Sequence, residues 1–125
     1  MEPSNYLTLT DKEEKIINLF IGLGLKRNVA RVLVYLSTTD EATSRMIERG
    51  TDLRQPEVSM AMRQLRGVEW IRSKAKKTES KGRPVKIYRL TRTIAEIMGI
   101  IEAEKKKEAK YQLDLIQELR ETISK

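Results

Sequence analysis

The chain has no cysteine and no histidine among its 125 residues. Without cysteine there is no disulfide, no thiolate metal site and no thiol nucleophile. Without histidine, zinc chemistry and Ser/His hydrolysis lose their commonest ligand and base. No acidic pair and no glycine-rich phosphate loop stands in their place, so neither an enzyme, a metal nor a cofactor is expected. Aromatic residues make up only 5% of the chain, too few for a platform on which single-stranded bases would stack. No apolar run approaches the ~20 residues that cross a bilayer, and residues 1–10 lack the basic and apolar pattern of a secretory signal. The expectation is a cytoplasmic protein with no membrane partner.

What the chain does have is charge. Lys and Arg outnumber Asp and Glu by 25 to 18, a net +7. Residues 54–92 hold 12 basic and 3 acidic side chains, a balance of +9, whereas residues 93–125 hold 6 and 7, a balance of −1. The positive field is therefore concentrated in one third of the chain, as a polyanionic partner would require.

Apolar spacing gives the organisation. Thr10-Asp11-Lys12-Glu13 reads as a capping box, followed by Ile16, Ile17, Phe20 and Ile21 at helical spacing and a stop at Gly22-Leu23-Gly24. Leu25, Val29, Val32, Leu33 and Leu36 form one stripe of a second helix. Thr43 or Ser44 caps a short third helix that carries Met46 and Ile47 inward and ends at Gly50. After a tight turn at Thr51-Asp52-Leu53, Pro56 suits the start of a fourth helix, which runs to Arg66. Ile71 and Ala75 then mark one side of a basic strand, and Val85 to Leu90 resumes as a second one, with turn residues between. Residues 93–125 contain no proline and one glycine, and they read as one long helix.

The predicted fold is mainly α with a small β-hairpin: a winged helix-turn-helix domain over residues 1–92 and a C-terminal dimerisation helix over 93–125. Two strings carry a family likeness, Gly24-Leu25-Lys26-Arg27-Asn28-Val29-Ala30-Arg31-Val32 and Lys81-Gly82-Arg83-Pro84-Val85-Lys86-Ile87-Tyr88-Arg89-Leu90. They resemble archaeal and bacterial transcription regulators of the TrmB-like and MarR-like groups. The resemblance implies that the fourth helix, about 55–66, lies in the major groove of double-stranded DNA, with the wing, about 78–85, at the minor groove.

Gln55, Ser59, Met60 and Arg63 are the base-reading candidates, flanked by Arg54 and Pro56. They are also the side chains left outside once Val58, Met62 and Leu65 are assigned to the core. Gln can pair with adenine and Arg with guanine; the alternative is a solvated helix face. Glu57 would repel phosphate unless it accepts from a cytosine amino group or caps the helix. Lys81 and Arg83 at the hairpin tip suit a narrow minor groove, and Lys74, Lys76, Lys77 and Lys86 suit phosphate contacts. Lysines on edge strands also block aggregation, which is the competing explanation for them. Trp70 and Tyr88 are assigned to the core.

The last helix has two apolar groups separated by a charged stretch. Ile97, Met98, Ile101, Leu113, Ile116, Leu119 and Ile123, with Tyr6, Leu7 and Leu9, are expected at a homodimer contact that gives two fourth helices a fixed spacing. A winged-helix module that docks proteins without specific DNA binding is the alternative, since fold does not fix function. A small-molecule effector is left open, because no polar cluster in the sequence predicts its chemistry.

Overall fold

The computed structural model describes residues 10–77 and 84–125. The expectations for Tyr6, Leu7 and Leu9, and for Lys81 and Arg83, lie outside the described residues. The chain divides into two compact units, Met1–Thr93 and Ile94–Lys125.

In the first unit, α1 (Asp11–Gly22) begins on the expected capping box. The Thr10 hydroxyl accepts from the Glu13 N–H at 3.1 Å, and the Glu13 carboxylate accepts from the Thr10 N–H at 2.9 Å, so two otherwise orphaned donors are satisfied. Gly24, with φ of 111°, lets the chain turn back so that the Leu25 N–H reaches the Phe20 carbonyl at 3.1 Å. Helix α2 (Arg27–Leu36) therefore starts after Leu25, which was expected to head its stripe. Val29, Val32, Leu33 and Leu36 are buried as the spacing requires, joined by Ala30 and Val34. Each buried Val or Leu contributes about 1.5–3 kcal/mol, and α2 is the hub of the core.

Strand β1 (Ala42–Thr43) was not expected, since two residues are too short to show a period. Helix α3 (Ser44–Thr51) follows at once, and the Thr43 hydroxyl accepts from the Met46 N–H at 3.2 Å. That cap sets the helical phase, turning Ile47 inward and leaving Met46 42% exposed rather than buried as its spacing suggested. Helix α3 also continues past Gly50, ending where Asp52 adopts the left-handed conformation at φ 58°.

The reason for glycine at position 50 is close approach. A Cβ there would overlap the Tyr35 ring of α2, a half-buried ring whose phenol is pushed up from its ordinary pKa by burial. Gly50→Ala is expected to cost about 1–3 kcal/mol through overpacking, lowering the melting temperature by about 4–8 °C per kcal/mol for a unit of this size. An unchanged thermal transition would show that the contact is not a constraint.

Helix α4 (Gln55–Gly67) buries Val58, Ala61, Met62 and Leu65. Strands β2 (Ile71–Lys77) and β3 (Pro84–Leu90) pair antiparallel, with Ile71 opposite Leu90 and Lys77 opposite Pro84. Ala42 pairs with Tyr88, so the sheet has three strands in the order β1-β3-β2 rather than the two of the expected hairpin. The hairpin root is pinned by Thr91, whose N–H donates to the Trp70 carbonyl at 2.8 Å and whose hydroxyl donates to the Glu69 carbonyl at 2.7 Å. Trp70 and Tyr88, assigned to the core from sequence, are half-buried.

The second unit is the helix α5 (Ile94–Ser124), continuous over 31 residues and ~45 Å long at 1.5 Å per residue. Its charged middle carries the ion pairs Lys106–Glu102 at 3.3 Å, Lys105–Glu108 at 3.5 Å and Lys110–Asp114 at 3.0 Å. Ile97 and Ile101 are buried, whereas Met98, Leu113, Leu115, Ile116, Leu119 and Ile123 are exposed. Among the described residues no helix is long and apolar enough to cross a membrane.

Candidate nucleic-acid interface

The turn between α3 and α4 is fixed from behind. Arg31 of α2 donates to the Thr51 carbonyl through Nε at 3.1 Å and Nη2 at 2.7 Å, and its Nη1 lies 3.8 Å from the Glu14 carboxylate. The buried Thr51 donates its hydroxyl to the Ile47 carbonyl at 2.6 Å. One guanidinium thus ties α1, α2 and the end of α3 together, and α4 leaves that turn in a set direction.

Glu57 resolves in favour of capping. Its carboxylate accepts from the Arg54 N–H at 2.9 Å, half of a capping box, because the Arg54 guanidinium has no acceptor to return the bond. The negative charge is thereby held at the positive end of the helix dipole. Arg54, Gln55, Pro56, Ser59, Met60 and Arg63 are all exposed, with Met60 at 60%. The Gln55 amide donates to the Ser59 hydroxyl at 2.8 Å, one turn along the helix. This bond orients the Gln55 side chain while leaving its carbonyl oxygen and second N–H free for a ligand.

Between α4 and β3 runs a groove lined by Ser44, Gln55, Val58, Ser59, Met62, Arg63, Arg66, Lys86 and Tyr88. Three of those side chains are cations and none is a carboxylate. The sequence reading placed Gln55, Ser59, Arg63 and Lys86 at such a surface but left out Arg66 and Ser44. Arg66 lies eleven residues beyond Gln55 in the numbering, close to three helical turns, so the helical period brings it to the same side.

The other lysines separate. Strand side chains alternate between faces, and directly paired residues share a face. Tyr88 and Lys86 therefore share one face of the sheet with Ser73 and Ala75, and that face borders α4. Lys74 and Lys76 belong to the other face, with Ile87 and Val85. Lys76 is engaged there by Glu41 at 3.1 Å. The structure brings together Gln55, Ser59, Arg63 and Lys86, then, but it does not bring Lys74 or Lys76 to them. The side chain of Lys77 lies outside the described residues. Among the described residues no group of three or more Asp, Glu, His or Cys is placed to hold a metal ion.

No family model matches the chain, and no curated protein matches it in sequence. Solved structures do match its fold. A structure of TrmBL2, described as an archaeal chromatin protein with a novel mode of DNA binding, superposes with a TM-score of 0.67 at 16% identity over 90% of this chain. The chain spans only 40% of the length of TrmBL2. A possible transcriptional regulator from Methanosarcina mazei Go1 gives 0.63 at 18% identity, covering 92% of this chain and 98% of its own. A MarR family transcription regulator gives 0.53 at 13% identity, covering 91% and 79%. The four helices α1–α4, the α3–α4 turn, the three-stranded sheet and the long last helix of this chain have the winged helix-turn-helix fold that these regulator structures share.

Proposed function

We propose that the chain is a sequence-specific, double-stranded DNA-binding transcription regulator that acts as a homodimer. The observation that carries this reading is the groove beside α4, where Arg63, Arg66 and Lys86 stand with no carboxylate among them. A duplex phosphate backbone supplies the matching anions, and Gln55 and Arg63 have the donor and acceptor patterns that pair with base edges in a major groove. Fixation of α4 by the Arg31–Thr51 contact limits the ordering that binding would require. Regulators of this fold, among them the MarR family member above, lend the proposal support by likeness of shape. The sequence-based roles of Arg54, Pro56, Met60, Lys77, Lys81 and Arg83 remain part of the same proposal.

The homodimer part rests on α5. Ile116, Leu119 and Ile123 recur at three and then four residues, the spacing of a coiled-coil seam, and all three are exposed, Ile123 at 73%. Met98 and Leu113 join them as exposed members of the expected contact, whereas Ile97 and Ile101 are buried within the chain.

Selection of bound fragments from random duplex DNA, followed by titration across salt concentrations, tests the reading. A preferred sequence should emerge, bound at least ~10³-fold more tightly than bulk DNA. The logarithm of affinity should fall with the logarithm of salt at ~0.9 per phosphate engaged. Absence of both a preferred sequence and a salt slope would leave the protein-docking module as the better description.

A further inference from the structure

The face of the sheet turned away from α4 has its own cationic cluster. Register places Arg72 of β2 directly opposite Arg89 of β3, and Lys74 lies two residues along the same face. Like charges directly opposite each other destabilise a sheet. With Ser73, Ile87 and Glu41, these three cations line one hollow, to which α4 contributes nothing. Its one carboxylate, Glu41, is paired with Lys76 at 3.1 Å. Among the described residues Arg72, Lys74 and Arg89 make no ion pair, and they surround an apolar floor at Ile87. Protection of an exposed edge would account for lysines on β2, but Arg89 stands on β3, the central strand.

We infer that this outer face, formed by Arg72, Lys74 and Arg89, is a second duplex-binding surface that takes the phosphate backbone of a DNA segment other than the one seated beside α4. The inference rests on the DNA reading of the α4 groove. The two surfaces lie on opposite faces of one sheet, since Lys86 and Tyr88 alternate in sequence with Ile87 and Arg89. A straight duplex lying along the α4 groove is on the wrong side to reach Lys74 and Arg89, whereas Arg72, at the edge of the sheet, also borders the hollow beside Arg66. Guanidinium groups suit this task because each presents paired donors to phosphate oxygens. Contacts of this kind carry no base information, so the second segment is held without regard to sequence.

The test counts duplexes per protomer, which is independent of dimerisation. The full chain is titrated at low salt with a fluorescent duplex of about one helical turn, ~10–12 base pairs, and the stoichiometry is read by sedimentation. Two duplexes per protomer are expected for the natural chain. One is expected for the Arg72→Gln/Lys74→Gln/Arg89→Gln variant, with the second site weakened about tenfold or more. Arg72→Lys/Arg89→Lys should retain the second site. The melting temperature of the DNA-free glutamine variant should be unchanged or raised, because a like-charge pair has been removed, so a lost site is not a lost fold. One duplex per protomer for the natural chain, or two persisting in the glutamine variant, would overturn the second surface alone. Failure of the natural chain to bind any duplex would instead overturn the reading of the α4 groove.

Discussion

Replacing Arg63 with alanine is expected to weaken binding of the preferred duplex by about 1–3 kcal/mol, about 5- to 150-fold in Kd, and to relax sequence preference at one base position. The size follows from what a paired guanidinium–guanine contact discriminates, and the position follows from the groove, where Arg63 stands beside Ser59 and Lys86. Lys86→Ala should act differently. A lysine on phosphate sets affinity without reading sequence, so all duplexes should weaken alike, and the salt slope should fall by about 1. Both side chains are exposed, and neither change should move the thermal transition by more than the ~0.5 kcal/mol usual for surface substitutions. Titrations of both variants with the selected duplex and with a scrambled one separate the two roles. If Arg63→Ala weakened every sequence equally, its assignment to base edges would be wrong, although a phosphate role would survive.

Introducing charge into the exposed seam of α5, as in Ile116→Lys/Leu119→Lys, is expected to convert the proposed dimer to monomer. Two lysines facing their copies across a seam would have to be desolvated beside like charges, which is costly in both solvation and Coulomb terms. Ile116 and Leu119 are exposed at 45% and 58%, so the chain itself should fold unchanged and keep its helical signal. On DNA the consequence is larger than on the protein. A dimer presents two copies of α4 to a pseudo-palindromic site, and loss of the second removes the gain from intramolecular binding, on the order of 10²-fold or more. Sedimentation gives the oligomeric state, and titration with full and half sites gives the coupling. A natural chain that sediments as a monomer at micromolar concentration would remove the homodimer from the proposal.

Helices α1 and α4 have their starts where cap and proline signals put them, at Thr10 and around Arg54 to Pro56, because a cap is a local hydrogen-bond problem solved within four residues. Strand β1 was invisible, since Ala42–Thr43 is extended through pairing with Ile87 and Tyr88, more than forty residues away in the sequence. Met46 was misplaced because adjacent apolar residues at the head of a short helix leave the phase open until the Thr43 cap fixes it.

The order and type of the main elements, the concentration of cations in residues 54–92 and the residues outside the α4 core stripe are legible along the chain alone. These follow from periodicity and composition, which are properties of neighbours along the chain. Which cations share a surface is settled by the fold. Pairing register sends Lys86 to the α4 side of the sheet and Arg72, Lys74 and Arg89 to the other. Side chains alternate with a period of two, so a basic run in sequence becomes two separate surfaces once the strand has a partner and a covered face.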